Sequence, residues 1–227
     1  MTPTQALMIA AAGTLLLYFV PGARILGRPL VLLATLVHEL GHGLTAMLLG
    51  GSFKHLKLWA NGSGVASFEG NFSRLGRAAV ASGGPLGPPL FALLMLWCAR
   101  QVDSARLALG IMGVVLLLAA LIWLRNLFGF LFVLALAAAL GALAWFGSDQ
   151  VAQIGCAFLA VQMALSVFAR VDYLFKSQAR TAGGMMPSDT AQIAAALFLP
   201  HWFWGALIAL AAIGLLGAGL WLFAQAT

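Results

Sequence analysis

Residues 30–49 read Leu-Val-Leu-Leu-Ala-Thr-Leu-Val-His-Glu-Leu-Gly-His-Gly-Leu-Thr-Ala-Met-Leu-Leu, and they give the strongest indication of the fold class. A run of about 20 mostly apolar residues is long enough to cross a bilayer as a helix. Three ionisable residues, His38, Glu39 and His42, lie inside the run. Ionisable side chains cost roughly 2.5–3.5 kcal/mol each at the centre of a spanning helix, so they are rare there and usually functional. The stretch therefore predicts a membrane helix that carries a functional centre.

The rest of the chain has the composition of a membrane protein. Of its 227 residues, 63% are hydrophobic and 8% are charged, whereas a soluble domain carries about 25% charged residues. We predict an all-α polytopic membrane protein with six to seven transmembrane helices, forming a single domain over residues 1–227. The first candidate span is short, and the fourth and fifth nearly touch. The candidates lie near residues 5–20, 30–49, 78–99, 106–124, 126–146, 150–169 and 203–223.

The net charge of +6 comes from basic residues scattered between the apolar stretches. This distribution is typical of charges that flank membrane helices, and it argues against a nucleic-acid partner. With seven spans, eight of the twelve Lys and Arg residues follow the second, fourth and sixth stretches, on one side of the membrane. Because cytoplasmic loops are enriched in Lys and Arg, we expect that side to be cytoplasmic.

The spacing of His38, Glu39 and His42 predicts a zinc site. Residues four apart lie on one helical face, about 6 Å apart along the axis. Two imidazoles in this arrangement can bind one Zn²⁺ at about 2.0–2.1 Å each. Glu39 lies beside them as a general base for a zinc-bound water, whose pKa the ion lowers toward neutrality. Gly41 and Gly43 favour either close helix packing or space for an extended substrate.

A catalytic zinc ion usually has three protein ligands, and the third must come from a small set of acidic residues. We favour Asp189, which opens the helix-like run at 189–197. Asp189 with Gln192 also matches a variant of the helix capping box, so a capping role stays open. The alternatives are Asp172, which lies beside basic residues and is typical of a surface ion pair, and Glu69, which lies in a polar segment after His42.

Three further segments carry structural signals. Residues 52–70 alternate in character around Asn61-Gly62, which predicts a β-hairpin. Residues 81–90 read Ala-Ser-Gly-Gly-Pro-Leu-Gly-Pro-Pro-Leu and open the third apolar stretch. Asn126 lies between two closely spaced apolar runs. This position favours a tight turn, and the alternative is that the Asn126 amide polarises a substrate carbonyl.

These motifs together resemble the site-2 proteases, the M50 family of intramembrane zinc metalloproteases, and especially their M50B-like branch. The resemblance rests on His-Glu-Leu-Gly-His at 38–42, on the hairpin at 52–70, and on a Gly-Pro element in which Pro88 stands where the family carries Asn. Ser-Asp-Thr at 188–190 is similar to the Ser-Asp-Ala segment of that branch, which favours Asp189 as the third ligand. The resemblance implies a motif core at 30–100 and a third-ligand loop with the last span at 170–227.

The function that the resemblance implies is zinc-dependent hydrolysis of a peptide bond in a transmembrane or membrane-adjacent segment. The active site would face the cytoplasmic side of the cell inner membrane, within the lipid bilayer. The exposed edge of residues 52–70 could take the substrate as an added strand. One alternative is a non-catalytic scaffold or chaperone-like protein that retains the metal site, against which the intact Glu39 argues. A metal transporter would instead need ionisable residues along a path across the membrane.

Overall fold

The structure, a computed structural model, describes residues 1–20, 24–182 and 184–225. Helices dominate it, with two small antiparallel sheets of two strands each and a short 3-10 helix before the second sheet. The elements in chain order are α1 (Pro3–Phe19), α2 (Arg24–Leu48), β1 (Ser52–Leu58), β2 (Gly64–Glu69), α3 (Arg74–Cys98), α4 (Val102–Ile122), α5 (Leu127–Phe146), α6 (Asp149–Ala169), the 3-10 helix (Val171–Phe175), β3 (Gln178–Thr181), β4 (Gly184–Pro187), α7 (Asp189–Leu197) and α8 (His201–Ala224).

All seven predicted apolar stretches form helices, so the predicted all-α membrane fold is confirmed. Within the described residues, six helices are long and apolar enough to cross a membrane, and the apolar part of α1 is shorter. Large apolar side chains remain exposed on the outer faces of these helices, as at Leu107, Ile111 and Leu131. An apolar surface of this extent fits contact with lipid rather than with water.

The predicted hairpin after α2 is present as β1 and β2, which pair antiparallel from Ser52 with Glu69 to Leu58 with Gly64. Gly62 has φ +87°, in the left-handed region that favours glycine. The Asn61 side chain accepts a hydrogen bond from the Ser63 backbone N–H at 3.0 Å, which further fixes the turn. Asn61 and Gly62 therefore form the hairpin turn that the sequence predicts.

The outer edge of β1 is attached to the connection between α4 and α5. The Leu56 N–H donates to the Trp123 carbonyl at 2.7 Å, and the Leu56 carbonyl accepts from the Arg125 N–H at 3.0 Å. The Asn126 amide continues this pairing, since Oδ1 accepts from the Leu58 N–H at 3.1 Å and Nδ2 donates to the Leu58 carbonyl at 2.7 Å. Both ends of the Asn126 amide are thus used to hold the hairpin.

Helix α3 packs against α2, α6, α7 and α8 and so connects most of the bundle. Its contact with α2 is very close, because a Cβ on Gly41 would overlap the Gly83 carbonyl. A Cβ on Gly43 would likewise overlap the Phe53 ring of β1. Both glycines around His42 therefore serve close packing, which is one of the two roles that their spacing favours.

A second hairpin, β3 and β4, lies between the 3-10 helix and α7, where the sequence indicates no strands. Its register pairs Ala179 with Met186 and Thr181 with Gly184. Side chains directly opposite each other, and those two residues apart, share one face of a hairpin. One face of this second hairpin therefore carries Ala179, Thr181 and Met186, and the other carries Arg180 and Met185.

Candidate metal centre

The two histidines of α2 lie one helical turn apart and turn their rings toward each other. Their Nε2 atoms are 3.2 Å apart, and the rings are nearly perpendicular, at 82°. Both side chains are buried, with 8% of each residue exposed. The i, i+4 spacing therefore produces the predicted convergence of two imidazoles inside the helical bundle.

Asp189 completes a cluster of three possible ligands. Its Oδ2 lies 3.1 Å from His38 Nε2, and its Oδ1 lies 3.2 Å from His42 Nε2. One ligand atom from each residue falls within 4.8 Å of the others. Ligands at about 2.0–2.1 Å from a tetrahedral zinc ion would be about 3.3 Å apart, so the donor set fits that ion in type and in spacing.

The start of α7 places Asp189 in this position. Ser188 is the N-cap residue, and its side chain accepts from the Ala191 N–H at 3.2 Å while donating to the Lys176 carbonyl at 2.6 Å. Asp189 is the first residue of the helix, so the alternative that Asp189 itself caps α7 is wrong. The cap role falls to the preceding serine, which frees the aspartate to face the histidines.

The charge state of the buried Asp189 carboxyl is set by its two imidazole neighbours. Burial alone would raise the pKa of its carboxyl, but the imidazoles of His42 and His38 hold that pKa well below its usual range. The carboxyl is therefore ionised near neutral pH, and a carboxylate must be ionised to bind a metal ion.

Two hydrogen bonds orient the cluster from outside. His42 Nδ1 lies 2.8 Å from the Val80 carbonyl of α3. Because a carbonyl can only accept, the proton sits on Nδ1 and the lone pair of Nε2 is left for a metal. The hydroxyl of Tyr173, in the middle of the 3-10 helix, donates to Asp189 Oδ2 at 3.1 Å. Tyr173 carries no signal in the sequence, because its role depends on the tertiary position of a short irregular segment.

Glu39 lines the same cleft as the three clustered residues. The cleft has a volume of about 160 Å³ and lies between α2, strand β2 and the second hairpin. Glu39 Oε2 accepts a hydrogen bond from the backbone N–H of Ala66 in β2 at 2.7 Å. A Cβ on Gly64 would overlap the Glu39 side chain, so glycine is needed where β2 passes this carboxylate.

Arg170, a loop charge by its position in the sequence, is a further residue near the cleft. Its side chain is partly buried and donates to Thr35 Oγ1 at 2.5 Å. Thr35 in turn donates to the carbonyl of Gly62 at 2.8 Å, at the tip of the first hairpin. A basic residue at the end of an apolar helix is typical of a membrane-flanking charge, so the sequence carries no signal for this long-range contact. The contact connects α6, α2 and the hairpin tip.

The other acidic candidates lie apart from the histidines. Asp172 pairs with Lys176 on the surface, as its sequence neighbours suggest. Glu69 Oε2 pairs with Lys54 Nζ at 3.0 Å, and the Glu69 side chain is 73% exposed. Within the described residues, the cluster of possible ligands contains neither of them. Asn126 also lies outside the cleft lining, since its amide is bonded to Leu58.

Comparison with known proteins identifies a family whose sequence pattern this chain matches. A family model described as Peptidase M50B-like matches residues 7–219, which include the cluster from both α2 and α7. The match covers more of the chain than the segments on which the sequence resemblance rests. No curated protein and no solved structure matches the chain.

Proposed function

Because the chain belongs to the Peptidase M50B-like family, we propose that it is a zinc-dependent intramembrane endopeptidase. In this proposal His38, His42 and Asp189 hold the ion and Glu39 is the general base. The observation that carries the proposal is the convergence of three ligand atoms within 4.8 Å, in a cleft that Glu39 also lines. The family supplies the reaction class, and the apolar helices supply the membrane setting.

The chemistry divides between the ion and the side chains. When bound, zinc would lower the pKa of a coordinated water and polarise the carbonyl of the scissile bond. Glu39 would accept a proton from the attacking water and deliver it to the leaving amine. Its Oε1 has no hydrogen-bond partner within the described residues, which suits an oxygen that exchanges protons. Tyr173 would keep the Asp189 carboxylate in the orientation that ligation needs.

The substrate would bind as an extended segment along the free edge of β2. The Ala66 N–H points to Glu39 rather than to β1, so it lies on the free edge of β2. Backbone groups alternate in direction along a strand, so the N–H and C=O groups of Gly64 and Phe68 lie on the same free edge. The backbone of an added substrate strand would form ladder hydrogen bonds with these groups. Pairing at Ala66 would also release Glu39 Oε2, so substrate binding would free the base. The second hairpin, through Ala179 and Met186, forms the opposite wall of the cleft.

The location that we propose is the cell inner membrane, with the cleft on the cytoplasmic side. One end of the helix bundle carries the first hairpin, the α4–α5 connection and α7. Leu56 of the hairpin is hydrogen-bonded to the α4–α5 connection. Arg74, at the start of α3, donates from Nε to the Ala196 carbonyl of α7 at 3.1 Å. This end carries the basic excess, and cytoplasmic loops are the basic ones. The substrate would then be cleaved near the cytoplasmic face of the bilayer.

A cleavage assay with matched zinc measurements tests the proposal. The purified protein and its Glu39→Gln variant are placed in liposomes with a single-span model substrate, and zinc content is measured for both. We expect the wild type to cleave, and the variant to keep its zinc but lose cleavage by about 100-fold or more. Cleavage by both proteins at equal rates would refute the role of Glu39. Zinc retention without cleavage in the wild type, over a range of substrates, would favour the scaffold.

A further inference from the structure

A second groove lies beside the catalytic cleft, between the end of β2, the start of α3 and α7. It has a volume of about 530 Å³. We call it the flanking groove, and the lining residues that matter here are Phe68, Phe72, Arg77, Ala81, Gln192 and Ala196. Phe68 and Gln192 also line the catalytic cleft, so the two spaces adjoin.

The path of β2 leads from the catalytic cleft into this groove. The Ala66 N–H marks the level of Glu39, and Phe68 follows two residues later along the same edge. A strand advances about 3.3 Å per residue, so a substrate paired with this edge would reach the groove about two residues beyond the scissile bond. The groove is therefore placed to receive the residues that flank the cleaved bond on one side.

The walls of the groove differ in chemistry. Ala81 and Ala196 are buried and form a shallow apolar floor, and Phe72 is half-buried. Arg77 stands exposed at the rim, and its Nη1 donates to the Phe72 carbonyl at 3.2 Å, which keeps the guanidinium beside the groove. Among the described residues Arg77 forms no ion pair. Glu69 also lines the groove, and its Oε2 is paired with Lys54 Nζ at 3.0 Å. Of the two charged side chains in the described lining, Arg77 is therefore the one that is left without an ion-pair partner for a substrate carboxylate to replace.

We propose that the flanking groove is a specificity subsite that binds the substrate segment next to the scissile bond and selects an acidic residue there through Arg77. This inference rests on the proposed proteolytic function. The preferred segment has a small or apolar side chain for the floor and a carboxylate about two to four residues from the cleaved bond. Arg77 matches such a carboxylate because its guanidinium can donate two parallel hydrogen bonds to one.

The test is a charge swap between enzyme and substrate. A model substrate with a mapped cleavage site is prepared with a single Glu or a single Lys at each of the five positions on either side. The kcat/KM for cleavage of each substrate is measured with the wild type, Arg77→Glu and Arg180→Glu in liposomes of neutral lipid. Arg180 is the matched control, because it is an exposed arginine on the outer face of the second hairpin and does not line the groove.

We expect wild type to prefer Glu over Lys by about five- to tenfold in kcat/KM, within one short window on one side of the bond. Arg77→Glu should reverse that preference with unchanged zinc content, and Arg180→Glu should keep it. An unchanged preference in Arg77→Glu, or an equal change in both variants, would overturn the inference. A preference that depends on the anionic lipid content of the liposomes would show that the groove binds lipid headgroups, and it would overturn the inference.

A binding measurement separates this inference from the proposed function. Fluorescently labelled substrates are titrated into Glu39→Gln and into the double variant with Arg77→Glu. A Glu-over-Lys preference in affinity that the second substitution reverses supports the subsite whether or not the protein cleaves. Equal affinities for the Glu and Lys substrates refute the subsite even where cleavage by the wild type supports the protease.

Discussion

Replacing Gly84 of α3 by alanine should disable the metal centre, although alanine is the better helix former. Glycine in a helix interior is less stable than alanine by about 0.5–1 kcal/mol, so the substitution would normally help. At this position, however, the new Cβ would lie 2.7 Å from His42 Cδ2 and closer still to Cε1 and Nε2. Ordinary contacts between such atoms are about 3.5–4.0 Å, so the ring must move by about 1 Å.

A shift of that size exceeds the tolerance of a catalytic site, which is about 0.5 Å. We expect Gly84→Ala to lower cleavage by about 100-fold and to weaken zinc binding by at least about tenfold. Zinc affinity is measured by competition with a chelator, and cleavage by the single-span substrate assay. Gly214→Ala in α8 is the control, because a Cβ there would meet nothing within 4 Å. Wild-type zinc affinity and activity in Gly84→Ala would refute the close packing of His42 on α3.

Two other substitutions probe the contacts around the cleft. Tyr173→Phe removes the hydroxyl that donates to Asp189 at 3.1 Å, so zinc affinity should fall by about tenfold with unchanged helicity by circular dichroism. An unaltered affinity would show that the hydroxyl does not orient the carboxylate. Asn126→Ala removes both hydrogen bonds to Leu58, at a cost of about 1–3 kcal/mol, so amide exchange at 52–69 should speed up. Equal exchange in variant and wild type would contradict that attachment.

The parts of the site that could be predicted from sequence are those set by local geometry. The spacing of His38 and His42 alone brings two rings to one face of a helix, so their convergence needs no tertiary information. The Asn61-Gly62 turn is equally local, because one glycine at positive φ determines the hairpin. The long apolar runs likewise predict helices without reference to one another.

The remaining features depend on contacts between distant segments. Three carboxylates are expected near one end of the bundle, those of Asp189, Asp172 and Glu69. Only the tertiary packing of α7 brings Asp189 to the histidines, whereas Asp172 and Glu69 pair with surface lysines. The strands β3 and β4 are four residues each, too short for alternation to distinguish them from a loop. Tyr173 belongs to a short 3-10 helix whose position follows from its neighbours. The helix-like run at 189–197 and the family resemblance both favoured Asp189, while the local pattern left a capping role open.

Zinc content after removal of single carboxylates tests the metal centre most directly. Wild type, Asp189→Ala and Asp172→Ala are purified under the same conditions and analysed by atomic emission. We expect about one zinc ion per chain in the wild type and in Asp172→Ala, and loss of most of it in Asp189→Ala. Full zinc content in Asp189→Ala, or its loss in Asp172→Ala instead, would show that the ion is not held between α2 and α7.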